Sequence, residues 1–175
     1  MLLSPHASYA KDQWFPFPLN AVFETGDTWV ASGQRFRLYG VQSCLRGTFF
    51  TNPQGQRTDC GEAGVAMLVA MVRDLKPLCN VSARTADLAY VICMANVTVQ
   101  GQATRLDLAT ALITAGYAFA ALNPDSRPVH DPYFVAQVAA SQAKRGFHAF
   151  ADTPDPNVIL LRALRSQAPA LPAPR

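Results

Sequence analysis

Lysine is scarce in this chain: Lys11, Lys76 and Lys144 are the only three in 175 residues, and the arginines are scattered. A dedicated nucleic-acid binder carries a dense Lys/Arg stripe. The formal net charge of +3 therefore points no further than a mildly basic enzyme or a neutral binding module. Charged residues of both signs reach only 15% against 50% apolar, which excludes a disordered chain or a charge-rich linker. No run approaches the roughly 20 apolar residues of a membrane-spanning helix, and no internal repeat occurs. The opening Met1-Leu2-Leu3-Ser4-Pro5-His6 lacks the basic segment and apolar run of an export leader. Also absent is any Cys-x-x-Cys pair, which removes zinc-knuckle and thioredoxin-type readings.

What remains is a chain of one-domain length, long enough to bury roughly 70% of its unfolded surface. Its cysteines are Cys44, Cys60, Cys79 and Cys93. An even count in a domain of this size suits two disulfides and an oxidising compartment; buried free thiols in a cytosolic protein are the alternative. On the disulfide reading the expected location is periplasmic or secreted, with a leader removed ahead of this chain.

Residues 1–19 combine Pro5, Pro16 and Pro18 with Trp14, Phe15 and Phe17, and read as an irregular arm pinned to the body by its aromatics. A partner-binding peptide is the other reading of the same pattern. Short strands at 21–24 and 28–30 precede a Ser32-Gly33 turn and a strand over 34–42, where Phe36 and Leu38 alternate with Arg35, Arg37 and Tyr39. Residues 46–59 have no periodicity and read as a long loop of the kind that is often functional. A Cys44–Cys60 cystine would close its base, adding about 3 kcal/mol by loop entropy. Ala63, Met67, Ala70, Met71 and Leu75, widened by Leu68 and Val72, mark a core helix over 60–75 that ends at Pro77. Strands over 78–83 and 87–95 follow, and antiparallel pairing would set Cys79 opposite Cys93. Helices are expected over 104–115 (Leu106, Ala109, Leu112 and Ile113 inward) and 133–147, with a short strand over 117–122 between them. A short helix over 157–166 precedes a frayed Pro/Ala-rich tail, 168–175.

Thr25-Gly26-Asp27-Thr28, followed by Arg37-Leu38-Tyr39-Gly40-Val41-Gln42-Ser43-Cys44-Leu45, resembles the start of the staphylococcal nuclease (thermonuclease) family. There an Asp-Gly-Asp-Thr turn leads to an Arg-Leu-x-Gly-Ile-Asp-x-Pro-Glu strand end. Cys60-Gly61-Glu62-Ala63 resembles the family's Gly-x-x-Ala helix start, and Leu88-Ala89-Tyr90-Val91 the strand after its Tyr-Gly-Arg. The Ala111 to Ala118 segment and Gln142 to Phe147 extend the likeness to about residue 150. The resemblance implies an α+β fold: a five-stranded Greek-key OB-fold barrel with three packed helices. That domain would span 20–150, with the arm 1–19 before it and a C-terminal extension, 151–175, after it.

The same resemblance places the chemistry. A calcium-dependent nuclease needs oxygen ligands for the metal, a carboxylate beside the attacking water and guanidinium groups for the phosphate. The family's three metal carboxylates fall on Thr25, Asp27 and Gln42, its general base on Leu45, and its two phosphate arginines on Arg37 and Ala86, within Arg84-Thr85-Ala86. Only Asp27 and Arg37 keep the chemical type, and the base-flanking tyrosines give way to Leu122-Asn123-Pro124. A register slip would bring in Arg35, Arg46, Glu62 or Asp87; Glu24, beside Thr25, points to the opposite face of its strand.

Each surviving residue also has a plain structural reading. Asp27 and Thr28 suit capping of a tight turn, and Arg37 suits pairing with Asp27 across the hairpin. Trp29 and Tyr39 suit either a base-stacking platform or packing under the arm. His6, His130 and His148 have no Ser or Cys partner and read as surface or core residues. Asn80-Val81-Ser82 and Asn96-Val97-Thr98 match glycosylation acceptors but fall in or beside strands, where chance is the simplest source.

The expectation is a catalytically impaired thermonuclease-like domain, exported, acting as a binding or assembly module with a protein partner and no cofactor. The alternative is a calcium-dependent nuclease with a rearranged site. A third reading is a single-stranded nucleic-acid binder using Arg35, Arg37, Arg46 and Arg84.

Overall fold

The computed structural model of the chain describes residues 13–167. His6, the first part of the arm and the 168–175 tail lie outside the described residues. The architecture is mixed α+β: one curled, barrel-like sheet with four helices. Its strands are β1 (Phe15–Pro16), β2 (Val22–Thr25), β3 (Thr28–Ala31) and β4 (Gln34–Leu38), then β8 (Leu78–Arg84), β9 (Ala89–Val99) and β10 (Gln102–Asp107). The spatial order is β1-β8-β9-β4-β3-β2, with β10 on the far part of β9. All pairings are antiparallel except β4 with β9. The two ends of that order, β1 and β2, are consecutive in the chain, so the sheet curls back toward itself. Two small ribbons complete the strands: β5 (Val41–Gln42) pairs with β11 (Phe119–Ala120), and β6 (Phe49–Thr51) with β7 (Arg57–Asp59).

Local chemistry explains the breaks. Ser32 and Gly33 both have positive φ (50° and 76°), the two-residue turn that suits right-handed strand twist. The strand expected over 34–42 is interrupted at Tyr39-Gly40. Gly40 has φ +69°, and a Cβ there would press on the Tyr133 ring and on the His130 side chain at 3.1–3.2 Å. Beyond it, β5 leaves the main sheet. The loop expected over 46–59 contains the β6–β7 hairpin, whose strands are too short for alternation to be visible.

Helix α1 (Cys60–Leu75) is the helix read from the sequence. Its N-cap Asp59 accepts from Glu62 N at 3.0 Å, and the left-handed Lys76 before Pro77 ends it. The expected helix over 104–115 is half strand. Gln100 and Gly101, both at positive φ, reverse β9 into β10. Asp107 then caps α2 (Leu108–Thr114) by accepting from Ala109 N and Thr110 N. The helix expected over 133–147 is α3 (Asp131–Gln142), a turn through Lys144, and a 3-10 segment at Gly146–Ala149. The strand expected over 117–122 shortens to β11, and the short helix expected over 157–166 is α4 (Pro156–Gln167). The sheet holds seven strands rather than five, because Pro18-Leu19-Asn20 separates β1 from β2 and β10 adds to β9.

The main core lies under the sheet, around Trp29, Leu38, Val91, Leu68, Leu108, Leu112 and Ile113. Phe17 of the arm packs tilted on Trp29, ring centroids 4.5 Å apart, and Phe15 lies 5.9 Å from Phe36. A second cluster gathers Phe50, Phe119 and Phe147 around the Cys44–Cys60 disulfide. The other disulfide, Cys79–Cys93, joins directly opposed residues of β8 and β9 within the main core. Such bonds are compatible with an oxidising extracellular compartment. Among the described residues, no helix is long and apolar enough to cross a membrane.

Candidate functional site

Asp27 is 2% exposed, at the β2–β3 turn. The turn lies hard against α1: a Cβ on Gly26 would come within 2.8 Å of the Gly64 carbonyl carbon, so only glycine fits there. Burial obliges the Asp27 carboxylate to find partners, and it finds six contacts. Oδ1 accepts from the hydroxyls of Thr25, of Thr28 at 2.9 Å and of Ser43 at 3.2 Å. Oδ2 accepts from Ser43 N at 3.1 Å and from Arg37 Nε at 3.2 Å, and lies 3.0 Å from Arg37 Nη2 as an ion pair.

Topology delivers each donor. Thr25 and Thr28 face one another across the β2–β3 turn, and Arg37 sits opposite Thr28 in the β3–β4 register. Ser43 arrives because the chain breaks at Gly40 and returns along β5. Gln42, 7% exposed, completes the cluster: its Oε1 accepts from Arg37 Nη2 at 2.8 Å and its Nε2 donates to Ser43 O at 2.8 Å.

These residues do not fit a calcium ion. Calcium takes six to eight oxygens with lone pairs to spare, whereas both Asp27 oxygens are already filled by protein donors. At Gln42 a neutral amide stands where the resemblance calls for a carboxylate, and its oxygen is turned to a guanidinium. Among the described residues no three His, Cys, Asp or Glu side chains gather as a metal would need.

The remaining expected positions are dispersed. Leu45 is half-buried and Ala86 is exposed at the β8–β9 turn. Of the two carboxylates that a register slip would recruit, Glu62 pairs with Arg46 at 2.6 Å; Glu24, expected to face away, pairs with Arg35 at 2.8 Å. Asp87 and Ala86 share a polar depression with Val30, Gly33, Gln34 and Arg35. Arg84 is exposed and reaches Gln34 at 3.4 Å. Trp29 is wholly buried beneath Phe17, so the stacking-platform reading fails for it and the packing reading holds. Asn80 and Asn96 lie within β8 and β9.

A cleft of about 340 Å³ opens beside the Asp27 cluster, on the outer face of the sheet. Arg37 to Gln42 form one wall, Ala83 and Tyr90 a second, and Ala121, Leu122 and Val129 a third. Tyr39 stands edge-on to His130, which in turn meets the Tyr133 ring at 4.4 Å. The Tyr133 phenol is 5% exposed, and burial with the nearby Asp107 carboxylate raises its pKa well above the usual range. Sequence reasoning missed Ser43, Tyr90 and Val129. Nothing local marks them, since each is placed by a pairing between distant segments. No protein-family model matches the chain, and no curated protein is similar to it at a significant level.

Proposed function

We propose that this protein is a catalytically impaired, thermonuclease-like OB-fold domain that acts as a binding or assembly module in an oxidising compartment such as the periplasm. The OB-fold reading is supported by the strand order: three meandering strands, then β9 joined in parallel to β4, β8 beside it, and β1 closing toward the start. The fold analogy alone carries no activity. The observation that carries the reading is Asp27, the one retained metal carboxylate, with both oxygens saturated by Thr25, Thr28, Ser43 and Arg37. Leu45 offers no base, and Ala86 no second guanidinium.

The nucleic-acid reading is weaker on the same geometry. Arg35, Arg37 and Arg46 each pair with an acidic neighbour, which leaves Arg84 as the one arginine of the expected four without an ion pair among the described residues, too few for a phosphate track. An assembly role is supported by α3, which carries no charged residue after Asp131 and turns Phe134, Val135 and Val138 to solvent.

The test is hydrolysis of single-stranded DNA and RNA with calcium, against a chelator control, for the native chain and for Leu45→Glu/Ala86→Arg. Neither protein is expected to cleave, because the double replacement leaves Asp27 occupied. Chelator-sensitive cleavage that co-purifies with the native chain would overturn the proposal.

A further inference from the structure

The cleft beside Asp27 has an unusual electrical character for a site built around an arginine. Among the described residues Arg37 is the only charged one lining it, and its charge is already matched by the buried Asp27 carboxylate. None of Arg35, Arg46 and Arg84 lines the cleft. The lining itself offers a polymer phosphate one guanidinium, already paired with Asp27, and no second cation. A buried anion without a compensating charge is costly. A neutral group is not penalised in this way.

The hydrogen-bonding capacity points in the same direction. Arg37 donates Nε and Nη2 inward, to Asp27, Gln42 and Val41 O; among the described residues no partner takes its Nη1. The hydroxyls of Tyr39 and Tyr90 likewise have no partner among the described residues. The rest of the lining is Gln42, whose amide is engaged by Arg37 and Ser43, and Leu38, Val41, Leu122 and Val129 with small residues. An apolar hollow with a few convergent donors is the usual form of a ligand site, and this one lies near the low end of the roughly 300–1,000 Å³ range. It is large enough for one or two side chains, and it is open along one side, so a chain carrying them can run on into solvent.

We infer that this cleft takes an uncharged aromatic or large aliphatic side chain of a partner polypeptide, with a backbone carbonyl beside that side chain accepting from Arg37. The inference rests on the non-catalytic reading and names the class of partner for it. The fit is one of charge: a neutral peptide segment in a cleft with one compensated cation.

The test uses the full chain, ¹⁵N-labelled, titrated to millimolar concentration with the capped peptide acetyl-Gly-Phe-Gly-amide and, separately, with a ten-residue oligothymidylate. The peptide is expected to move the amide signals of Tyr39 to Gln42, Leu122 and Val129, with an affinity that changes less than twofold between low and high salt. Ala83→Arg, an exposed substitution opposite Tyr90, fills the cleft without disturbing the core and is expected to weaken the peptide at least tenfold. Arg37→Lys keeps a cation for Asp27 and is expected to weaken it several-fold. Absence of peptide-dependent shifts, or shifts that Ala83→Arg leaves unchanged, would overturn the inference. So would salt-sensitive binding of the oligothymidylate at these same amides. None of these outcomes bears on hydrolysis, so the inference and the non-catalytic reading fail separately.

Discussion

Arg37 meets the buried carboxylate of Asp27 through two nitrogens at once, Nε at 3.2 Å and Nη2 at 3.0 Å. The pair ties the β2–β3 turn to β4, and through Ser43 and Gln42 to β5. Asp27→Asn removes the charge that Arg37 compensates, and Arg37→Met strands the carboxylate in the core. Each is expected to cost on the order of 3 kcal/mol, with Arg37→Met the worse because Asp27 has no route to water. The double variant should recover part of the sum. Urea denaturation of the four proteins measures the coupling, and additive losses would show that the pair is not a unit.

Added calcium is expected to leave the melting temperature unchanged up to millimolar concentrations. A ligand that binds only the folded state must raise it. A clear rise, with magnesium as control, would mean that the cation displaces the guanidinium from Asp27.

Thiol titration of the denatured, unreduced protein should find essentially no free thiol, given the Cys44–Cys60 and Cys79–Cys93 bonds. Replacing either pair by alanine is expected to cost about 3 kcal/mol, the loop-entropy value for closed loops of this size. Both pairs are buried and close loops of similar length, so the two losses should be similar.

His148 sits half-buried in the 3-10 segment Gly146–Ala149, edge-on to Phe119 at 5.4 Å, and its buried Nε2 has no partner among the described residues. Burial lowers its pKa from the ordinary value of 6.5, against a smaller opposing pull from Asp155. The folded state therefore favours the neutral ring. Its contribution is fully present above the unfolded pKa and is lost as pH falls from about 6.5 through the lower folded value. Melting temperatures of the native chain and His148→Phe, compared from pH 8 to 5, should diverge only below about 6.5, with the native chain losing more. Parallel curves would remove His148 from the account.

Asp59 caps α1 through Glu62 N at 3.0 Å and also holds Gly47 N at 2.8 Å. Asp59→Ala is expected to cost about 1 kcal/mol, and Asp59→Asn less, read by chemical denaturation.

Local elements whose signals lie within a few residues are legible along the chain. The α1 stripe with its Pro77 stop, the Ser32-Gly33 turn and the opposition of Cys79 to Cys93 are all of this kind. Period, turn chemistry and cysteine placement act within one helix or one hairpin, so they are written along the chain. The failures share one cause. A helix over 104–115 looked continuous because its apolar spacing overlaps β10, and only pairing with β9 makes Gln102–Asp107 a strand. The candidate site was legible as residue types, Asp27 and Arg37 present and Leu45 and Ala86 without the needed groups. Its state was not. Whether Asp27 faces solvent and a cation or is consumed by Ser43 and Arg37 depends on the break at Gly40 and on β5 returning to pair with β11. The walls of the cleft come from β4, β5, β8, β9 and the segment after β11, which meet only once the sheet has curled. Burial and charge compensation are properties of that meeting, and the tertiary structure alone decides them.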